Sequence, residues 1–292
     1  MIESQRHLHL IVNPRSGGGK AVHLAAPVIA ALRGLGADPR VTHSPSIAAA
    51  DDLVRESVER GETVVAVGGD GMVSSLAGPV ARHGATFSII PVGRGNDFAR
   101  QLGIPHRPDE LAGVLLRADP VPVDAIEVAG EFVVGSVYAG VDSVTSETVN
   151  SLRRVPALLQ YQYGAVRALA SFPRTAFRVT VDDAVHEYEG FSVVAANSGY
   201  YGKGMHIAPD ADVHDGLFDV VMIAAGNRAR FIANLPRVYN GTHVTRDEIV
   251  VVRGRTVTIE ASGVPAYADG EPLSELPVTA TMRAGALSML TG

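Results

Sequence analysis

The chain has 292 residues, of which 46% are hydrophobic, so it can form two domains that each bury a core. The absence of cysteine excludes disulfides and thiolate metal sites. A formal net charge of −6 argues against nucleic-acid binding, although a chain with this net charge can still have a local basic face. No apolar run reaches the roughly 18 residues that span a bilayer, and the N-terminus lacks the apolar core of a signal peptide, so we expect a cytoplasmic protein.

The first 124 residues alternate strand and helix patterns. A strand over Leu8–Val12 is followed by a helix over 22–35, a short strand near 39–42 and a helix over 47–60. Strand, glycine-rich loop and helix then repeat. This order predicts an α/β domain over 1–124 with a parallel sheet and crossover helices.

The pattern changes after residue 124, where short strand-like runs are separated by turns. This spacing predicts a second domain over 125–280 that is mainly an antiparallel β-sandwich. Two helices, over 155–171 and 229–239, interrupt it. The predicted strands cover 125–128, 131–137, 176–181, 191–195, 217–223 and 257–260.

An apolar strand that ends in glycines recurs three times in the first domain. Leu8–Val12 runs into residues 13–20, a second strand runs into Gly68–Gly71, and a third into residues 91–100. Open α/β sheets bind ligands at the carboxyl ends of their strands, and glycines leave backbone N–H groups open to a phosphate. Each loop taken alone could be an ordinary turn. Three such loops in one domain are better explained by a single polyanionic ligand that all of them contact. Neither the Walker A pattern nor the dinucleotide fingerprint is present.

The three loops supply the candidate nucleotide-binding residues. Backbone N–H groups of the glycines can cradle phosphates, arginine side chains add positive charge, and Asp70 can hold a metal ion or a ribose hydroxyl. We expect nucleotide contacts from Asn13, Pro14, Arg15, Ser16, Gly17, Gly68, Gly69, Asp70, Gly71, Gly93, Arg94, Asn96 and Asp97.

Several carboxylates are candidate metal ligands, because Mg²⁺ prefers carboxylate and phosphate oxygens. Asp70, Asp97 and Asp124 fall at predicted strand or loop ends. Asp97 could instead cap the helix that follows it, and Asp124 could be a partly exposed strand residue. In the second domain, Asp215 and the backbone carbonyl of Leu217 could chelate a divalent ion, or Asp215 could form an Asx turn.

The dipeptide Asp269–Gly270 lies between two extended segments, and this pattern predicts a hairpin turn. The turn leaves the role of the carboxylate open. The ten histidines show no ligand spacing backed by carboxylates, which argues against a zinc site. Ser16 has no nearby histidine, so a hydrolase triad has no support.

Five motifs then occur in the order found in one enzyme family. They are Asn13-Pro14-x-Ser16-Gly17, Gly68-Gly69-Asp70-Gly71, Pro91-x-Gly93-x-x-Asn96-Asp97-Phe98-Ala99-Arg100, Asp215-Gly216-Leu217-Phe218-Asp219 and Asp269-Gly270-Glu271. Together they resemble the diacylglycerol kinase catalytic-domain family, in its bacterial soluble lipid-kinase branch, which is similar to sphingosine kinases and more distantly to NAD kinases. The resemblance runs from about Leu8 to the C-terminus.

The resemblance implies an ATP-dependent, Mg²⁺-requiring lipid kinase that transfers the γ-phosphate to a hydroxyl of a membrane lipid such as diacylglycerol. It implies an active site in the cleft between the domains, with Asp269 as the general base and Glu271 in a supporting role. It also implies a structural metal near Asp215 and a return of residues 281–292 to the first domain. We further expect peripheral association with the inner face of the membrane, and a homodimer is compatible with the sequence.

Two positions depart from the family pattern. The family usually has threonine where this chain has Met72 and Arg94, and each change removes a hydroxyl that could touch nucleotide or metal. Arg94 could contact a phosphate directly, but Met72 could not. Two other functions therefore stay open, a soluble NAD-kinase-like enzyme and a non-catalytic nucleotide or lipid sensor. The apolar run Val155–Tyr161 is a candidate for lipid contact, although apolar helices more often lie in a core.

Overall fold

The computed structural model of the chain describes residues 6–14, 16–44, 49–143, 164, 166–168 and 171–292. The chain forms two compact units, Met1–Ala125 with Ala284–Gly292 and Ile126–Arg283. The sequence predicts a first domain that ends at residue 124 and a second domain that ends at residue 280. Among the helices of the described part, none has both the length and the apolar character that crossing a membrane requires.

The first unit contains a parallel sheet with helices between its strands. The strands are β1 (Leu8–Val12), β2 (Arg40–His43), β3 (Thr63–Gly68) and β4 (Thr86–Pro91). They lie side by side in the order β2, β1, β3, β4, and every pair is parallel. The predicted α/β fold is confirmed. Its helices are α1 (Ala21–Gly34), α2 (Ala50–Glu59), α3 (Asp70–His83), α4 (Asp97–Gln101) and α5 (Pro108–Arg117).

The sequence explains where these elements form and end. All residues of β1 and β3 are buried, as expected for central strands that are covered on both faces. Helix α3 ends at Gly84, whose φ of 64° is the left-handed conformation that glycine adopts at helix C-termini. Helix α5 starts with Pro108 and carries Asp109 and Glu110 in its first turn, where proline geometry and negative charge favour a helix start.

The second unit is an antiparallel β structure whose buried apolar residues form two clusters, and Phe177, Phe191 and Phe218 are the largest fully buried side chains of the larger cluster. Among the described residues of this unit are the short helices α6 (Arg228–Asn234) and α7 (Pro236–Tyr239). Its strands are β5 (Val121–Val128, which begins in the first unit), β6 (Glu131–Val133), β7 (Ser136–Gly140), β8 (Thr175–Val181), β9 (Ala184–Ala196), β10 (Tyr200–Tyr201), β11 (Met205–His206), β12 (Phe218–Ala224), β13 (Ile249–Gly254), β14 (Thr256–Glu260), β15 (Pro265–Ala268), β16 (Glu271–Glu275) and β17 (Val278–Met289).

The long strand β17 belongs to both units. Its first half pairs antiparallel with β14, and Ser288 and Met289 pair parallel with β4. The side-chain hydroxyl of Ser88 in β4 donates to the carbonyl of Leu290 at 3.0 Å. The last nine residues of the chain, Ala284–Gly292, are therefore part of the first unit.

Two predicted elements of the second unit are interrupted. The run 131–137 forms two strands because the N–H groups of Val134, Gly135 and Ser136 bond to the Asp269 side chain. The helix over 229–239 breaks into α6 and α7 at Pro236, which has no N–H to continue the helical hydrogen bonds. The helix predicted over 155–171, including Val155–Tyr161, lies mostly outside the described residues.

His9 on β1 is fully buried in a polar cluster. Its Nε2 lies 2.8 Å from the Thr42 hydroxyl, and its Nδ1 lies 2.7 Å from the Ser57 hydroxyl and 2.8 Å from an Arg40 guanidinium nitrogen. Burial, followed by the charge of Arg40, lowers the pKa of His9 from 6.5 to about 4. The folded protein therefore holds His9 in its neutral form.

We predict that His9 makes the protein less stable as the pH falls from 6.5 to 4. In this range the unfolded chain binds a proton at His9 and the folded chain does not, so the free energy of unfolding falls by up to about 3 kcal/mol. The variant His9→Gln stays neutral and should lack this part of the pH dependence. Urea unfolding of both proteins from pH 7.5 to 4 measures the difference, and identical slopes would contradict the assignment.

Candidate functional site

The first unit brings its three glycine-rich loops together at one edge of the sheet. Strands β1, β3 and β4 are parallel neighbours, so their carboxyl ends and the loops that follow them are adjacent. The loops enclose an open cavity of about 270 Å³. It is lined by Asn13, Ser16, Gly17 and Gly18 of the first loop, by Gly69, Gly71 and Met72 of the second, and by Gly93 and Arg94 of the third.

The loops approach each other through their backbones. A Cβ on Gly69 would lie 2.9 Å from the Cα of Gly93 in the third loop, and a Cβ on Gly68 would lie 3.1 Å from the Oγ of Ser16 in the first loop. Side chains at these positions would push the loops apart. Gly17 and Gly18 have φ values of 60° and 70°, a conformation that favours glycine.

The start of helix α3 is suited to an anion. Gly69 is the N-cap residue, so the cap itself offers no side chain to the N–H groups of the first turn. The backbone N–H groups of a helix start carry partial positive charge and bind phosphates in many proteins. Because Gly69 and Gly71 line the cavity, the N-terminus of this 14-residue helix adjoins it.

Asp70 joins the second loop to the third. Its Oδ1 accepts hydrogen bonds from the N–H groups of Asp97 at 2.6 Å and Phe98 at 3.2 Å, which caps helix α4. Its Oδ2 faces the backbone of Gly95, where an added Cβ would lie 2.7 Å from it and 3.3 Å from Oδ2 of Asp97. The carboxylates of Asp70 and Asp97 therefore both lie beside Gly95.

The third loop is held by its own side chains. Asn96, in a left-handed conformation with φ 53°, accepts from the N–H of Gly93 at 2.9 Å and donates to its carbonyl at 3.2 Å. Asp97 is buried, and its Oδ1 accepts from Arg100 at 2.6 Å. The alternative of Asp97 as the helix cap is wrong, because Asn96 occupies the N-cap position and Asp97 starts the helix.

The three predicted magnesium ligands do not form one cluster. In the described ranges, no group of three or more acidic or histidine side chains is arranged to hold a metal ion. Asp124 is buried in β5, where its Oδ1 accepts from the N–H of Gly285 at 2.7 Å. This hydrogen bond links β5 to the C-terminal half of β17. Asp70 and Asp97 remain as the two neighbouring carboxylates, and two carboxylates with phosphate oxygens and water fit the way Mg²⁺ is usually bound.

The remaining predictions for the first unit have different outcomes. Arg94 is exposed and lines the cavity, so its guanidinium is placed to meet an anion. Pro14 is exposed and does not line the cavity. Arg15 lies outside the described residues. Met72 is buried beside Gly68, where it lines the cavity as an apolar surface.

Asp269 lies in the second unit, at the predicted hairpin turn between β15 and β16. Asp269 and Gly270 have φ values of 48° and 92°, as in the turns that favour this dipeptide. The Asp269 carboxylate accepts three backbone hydrogen bonds, from Val134 at 3.0 Å and from Gly135 and Ser136 at 2.9 Å each. These donors fix the orientation of the carboxylate. Glu271 is exposed at the start of β16.

Asp215 forms the Asx turn that was the alternative to a metal site. Its Oδ1 accepts from the N–H of Leu217 at 2.9 Å, and its Oδ2 pairs with Arg253. Arg253 also lies 3.4 Å from Oδ2 of buried Asp219, whose pKa is raised by burial. The positive charge at this turn comes from Arg253, and within the described residues the turn is not part of a metal-binding cluster.

The sequence did not reveal an apolar cavity of about 100 Å³ in the second unit. Its apolar lining includes Phe231, Leu235 and Val238. Asp142 is its polar end, where it accepts from the Tyr201 hydroxyl at 2.6 Å and bonds to Ser192. Burial raises the pKa of Asp142. The lining residues come from distant segments of the chain, so no local motif marks the cavity.

Two family models match the chain. The diacylglycerol kinase catalytic domain matches residues 7–128, and the YegS C-terminal NAD kinase beta sandwich-like domain matches residues 135–291. A diacylglycerol kinase of Mycobacterium tuberculosis (strain H37Rv) is 30% identical over 288 residues, which cover 96% of this chain and 93% of the relative. The chain belongs to the diacylglycerol kinase family. It is therefore a kinase, as the resemblance of its motifs implies.

Other members of the diacylglycerol kinase family are similar over most of their length. A diacylglycerol kinase of Bacillus subtilis (strain 168) is 26% identical over 88% of this chain and 86% of the relative. A Pseudomonas aeruginosa (strain PAO1) protein named "Probable lipid kinase YegS-like" is 29% identical over 95% of this chain and 92% of the relative. A crystal structure of a diacylglycerol kinase from Bacillus anthracis (strain Sterne) has the same fold, with a TM-score of 0.75 at 21% identity over 99% and 98% of the two chains.

We predict that the contact between the second and third loops of this kinase tolerates no side chain. Gly69→Ala should lower the free energy of unfolding by about 1–3 kcal/mol, because the added methyl group overlaps Gly93. Gly71→Ala is the matched control, since a Cβ there meets nothing within 4 Å. Urea unfolding measures both. Equal stabilities of the two variants would contradict the close approach of the loops.

Proposed function

We propose that this kinase transfers the γ-phosphate of ATP to a hydroxyl of a membrane lipid such as diacylglycerol. The observation that carries the proposal is the cavity formed by three glycine-rich loops at the carboxyl edge of the parallel sheet. Phosphoryl transfer needs positioning and charge neutralisation, and backbone N–H groups, an arginine and two carboxylates supply both. The names of the relatives support a lipid as the acceptor.

Each loop would have a distinct task toward the nucleotide. Gly17, Gly18 and the start of α3 would donate N–H groups to phosphate oxygens. Arg94 would add a charge-assisted contact from the third loop. Asp70 and Asp97 would hold Mg²⁺, which neutralises phosphate oxygens during transfer. Since Oδ1 of Asp70 already accepts two N–H groups, its Oδ2 is the oxygen left for this task.

The second unit would bind the acceptor. Its apolar cavity offers Phe231, Leu235 and Val238 to a hydrocarbon chain. Asp142, at the polar end with Tyr201 and Ser192, would hydrogen-bond a polar part of the same molecule. An apolar cavity with a few convergent polar groups is typical of small-molecule sites.

Asp269 would take the proton of the acceptor hydroxyl. The three N–H donors hold the carboxylate in one orientation, which would position it as a general base. Glu271 would support the hairpin. The location of the active site between the two domains, the homodimer and the association with the inner face of the membrane stay predictions.

A phosphorylation screen tests the proposal. Radiolabelled ATP and Mg²⁺ are supplied with diacylglycerol, phosphatidylglycerol or a sphingoid base in mixed micelles, and with soluble alcohols and NAD. Label in a lipid product supports the proposal, whereas label only in a soluble acceptor identifies an NAD-kinase-like enzyme. Binding of ATP without turnover of any acceptor would identify a nucleotide sensor, the function that Met72 in the cavity would explain.

We predict that Asp269→Asn lowers kcat by roughly 10²- to 10⁴-fold while nucleotide affinity stays nearly unchanged. The amide nitrogen would face a backbone N–H, so the variant also disturbs the hairpin. Asp182→Asn is the control for loss of charge at another turn aspartate with a positive φ, of 51°; both of its backbone donors, Arg255 and Thr256, bond to Oδ1, which asparagine keeps. A kcat for Asp269→Asn close to that of Asp182→Asn would leave Asp269 with a structural role only.

We also predict that Arg94→Thr weakens nucleotide binding about tenfold or more, because it removes a charge-assisted contact worth about 1.5–3 kcal/mol. Calorimetric titration with Mg-ATP measures the affinity. The control Arg107→Thr removes an equal charge at another exposed arginine of the same unit. Equal affinities of the two variants would show that Arg94 points into solvent.

A further inference from the structure

Asn197 directly follows β9, and its side chain is fully buried in the second unit. Its amide Nδ2 donates to the carbonyl of Val134, 63 residues earlier in the chain, at 2.8 Å. Burial of a polar amide costs free energy unless the amide is hydrogen-bonded, so an asparagine at such a position indicates a bond on which the fold depends. The residues that begin at Val134 are also those that hold the Asp269 carboxylate.

Residues 134–136 form the donor segment, which lies beside the ends of two strands. Strand β7 begins at Ser136, and it is the antiparallel neighbour of both β9 and β15. The beginning of β7 therefore lies beside the C-terminal ends of β9 and β15. Asn197 follows β9 and Asp269 follows β15, so the fold brings both residues to the donor segment.

The N–H groups and the carbonyls of the donor segment have different partners. All three N–H groups donate to the Asp269 carboxylate, at 3.0, 2.9 and 2.9 Å. The Val134 carbonyl accepts from the Asn197 side chain. The Gly135 carbonyl accepts from the backbone N–H groups of Asn197 at 2.9 Å and Ser198 at 3.0 Å. The residues after β9 thus fix the position of the segment, and the N–H groups of the segment fix the orientation of the carboxylate.

Gly135 gives the carboxylate room to reach the donor segment. A Cβ at this position would lie 2.5 Å from Oδ1 of Asp269, much closer than a carbon and an oxygen atom can approach. The φ of Gly135 lies outside the left-handed region, so the backbone conformation itself does not require glycine. The close approach of the Asp269 carboxylate is therefore the reason why a side chain does not fit here.

We propose that Asn197 is a positioning residue for the general base of this kinase, and that it acts through the donor segment. The proposal rests on the proposed function for the role of Asp269. A general base works only in the orientation that meets the acceptor hydroxyl, and a displacement of about 1 Å can lower a rate about 10²-fold. Without the Asn197 side chain, the Val134 carbonyl loses a buried donor and the donor segment loses one of its fixed points.

Hydrogen exchange of the whole protein tests the link between Asn197 and the donor segment without catalysis. The amides of the segment should be protected by their bonds to Asp269, and in Asn197→Ala they should exchange about tenfold or more faster, because the segment opens more readily. The control Ser88→Ala also removes one buried hydrogen bond to a carbonyl, that of Leu290, and should leave these amides unchanged. Unchanged exchange in Asn197→Ala would overturn the proposal, whether or not the protein phosphorylates a lipid.

Kinetics with diacylglycerol in mixed micelles and Mg-ATP measure the effect on the reaction. Asn197→Ala should lower kcat about ten- to a hundredfold with the KM for ATP nearly unchanged, because the substitution displaces the base and not the nucleotide. Gly135→Ala should have the same effect. Its control is Gly34→Ala, since a Cβ at Gly34 meets nothing within 4 Å. A loss of kcat in Asn197→Ala no larger than in Ser88→Ala and Gly34→Ala would overturn the proposal.

A double-mutant cycle separates positioning of the base from a general loss of structure. Residues that act as a unit have non-additive effects, so Asn197→Ala should lower kcat by less than about twofold when it is added to Asp269→Asn. Additive losses would show that Asn197 does not act through Asp269 and would overturn this proposal alone. A kcat of Asp269→Asn equal to that of Asp182→Asn would instead contradict the general base of the proposed function, and the hydrogen exchange would still report whether Asn197 holds the donor segment.

Discussion

The cavity of the first unit depends on the approach of two glycine backbones. Gly69 and Gly93 lie at the ends of neighbouring parallel strands, and their contact leaves no room for a Cβ on either residue. The parallel sheet sets the distance between strand ends, and only residues without side chains allow the loops to meet at that distance. The helix start, Arg94 and the Asp70–Asp97 pair are arranged around this contact.

Three aspartates that the sequence analysis selects as site candidates accept hydrogen bonds from backbone N–H groups. Asp70 caps α4, Asp124 holds the N–H of Gly285, and Asp269 holds three successive N–H groups after β6. Hydrogen bonds to a charged acceptor are stronger than those between neutral groups. The same side chains can thus shape a loop and meet a substrate.

The sequence predicted the elements that are set by local chemistry. The apolar run Leu8–Val12 and the Asp269–Gly270 turn occur as predicted, because strand burial and turn conformation depend on a few adjacent residues. The break after Val133 was missed because its cause, Asp269, lies more than a hundred residues away. The polar end of the second cavity was missed for the same reason, since Asp142 meets Ser192 and Tyr201 only in the fold.

The return of β17 to the first unit has a consequence for synthesis on the ribosome. Residues 86–91 form a strand whose partner on one side is Ser288–Met289, nearly two hundred residues later. Until the C-terminal part of β17 leaves the ribosome, the edge of β4 lacks its partner strand, and the Asp124 carboxylate lacks the N–H group of Gly285. The first unit begins before the second unit in the chain and is completed after it, so the exposed edge of its sheet must avoid wrong pairing while the second unit is being made.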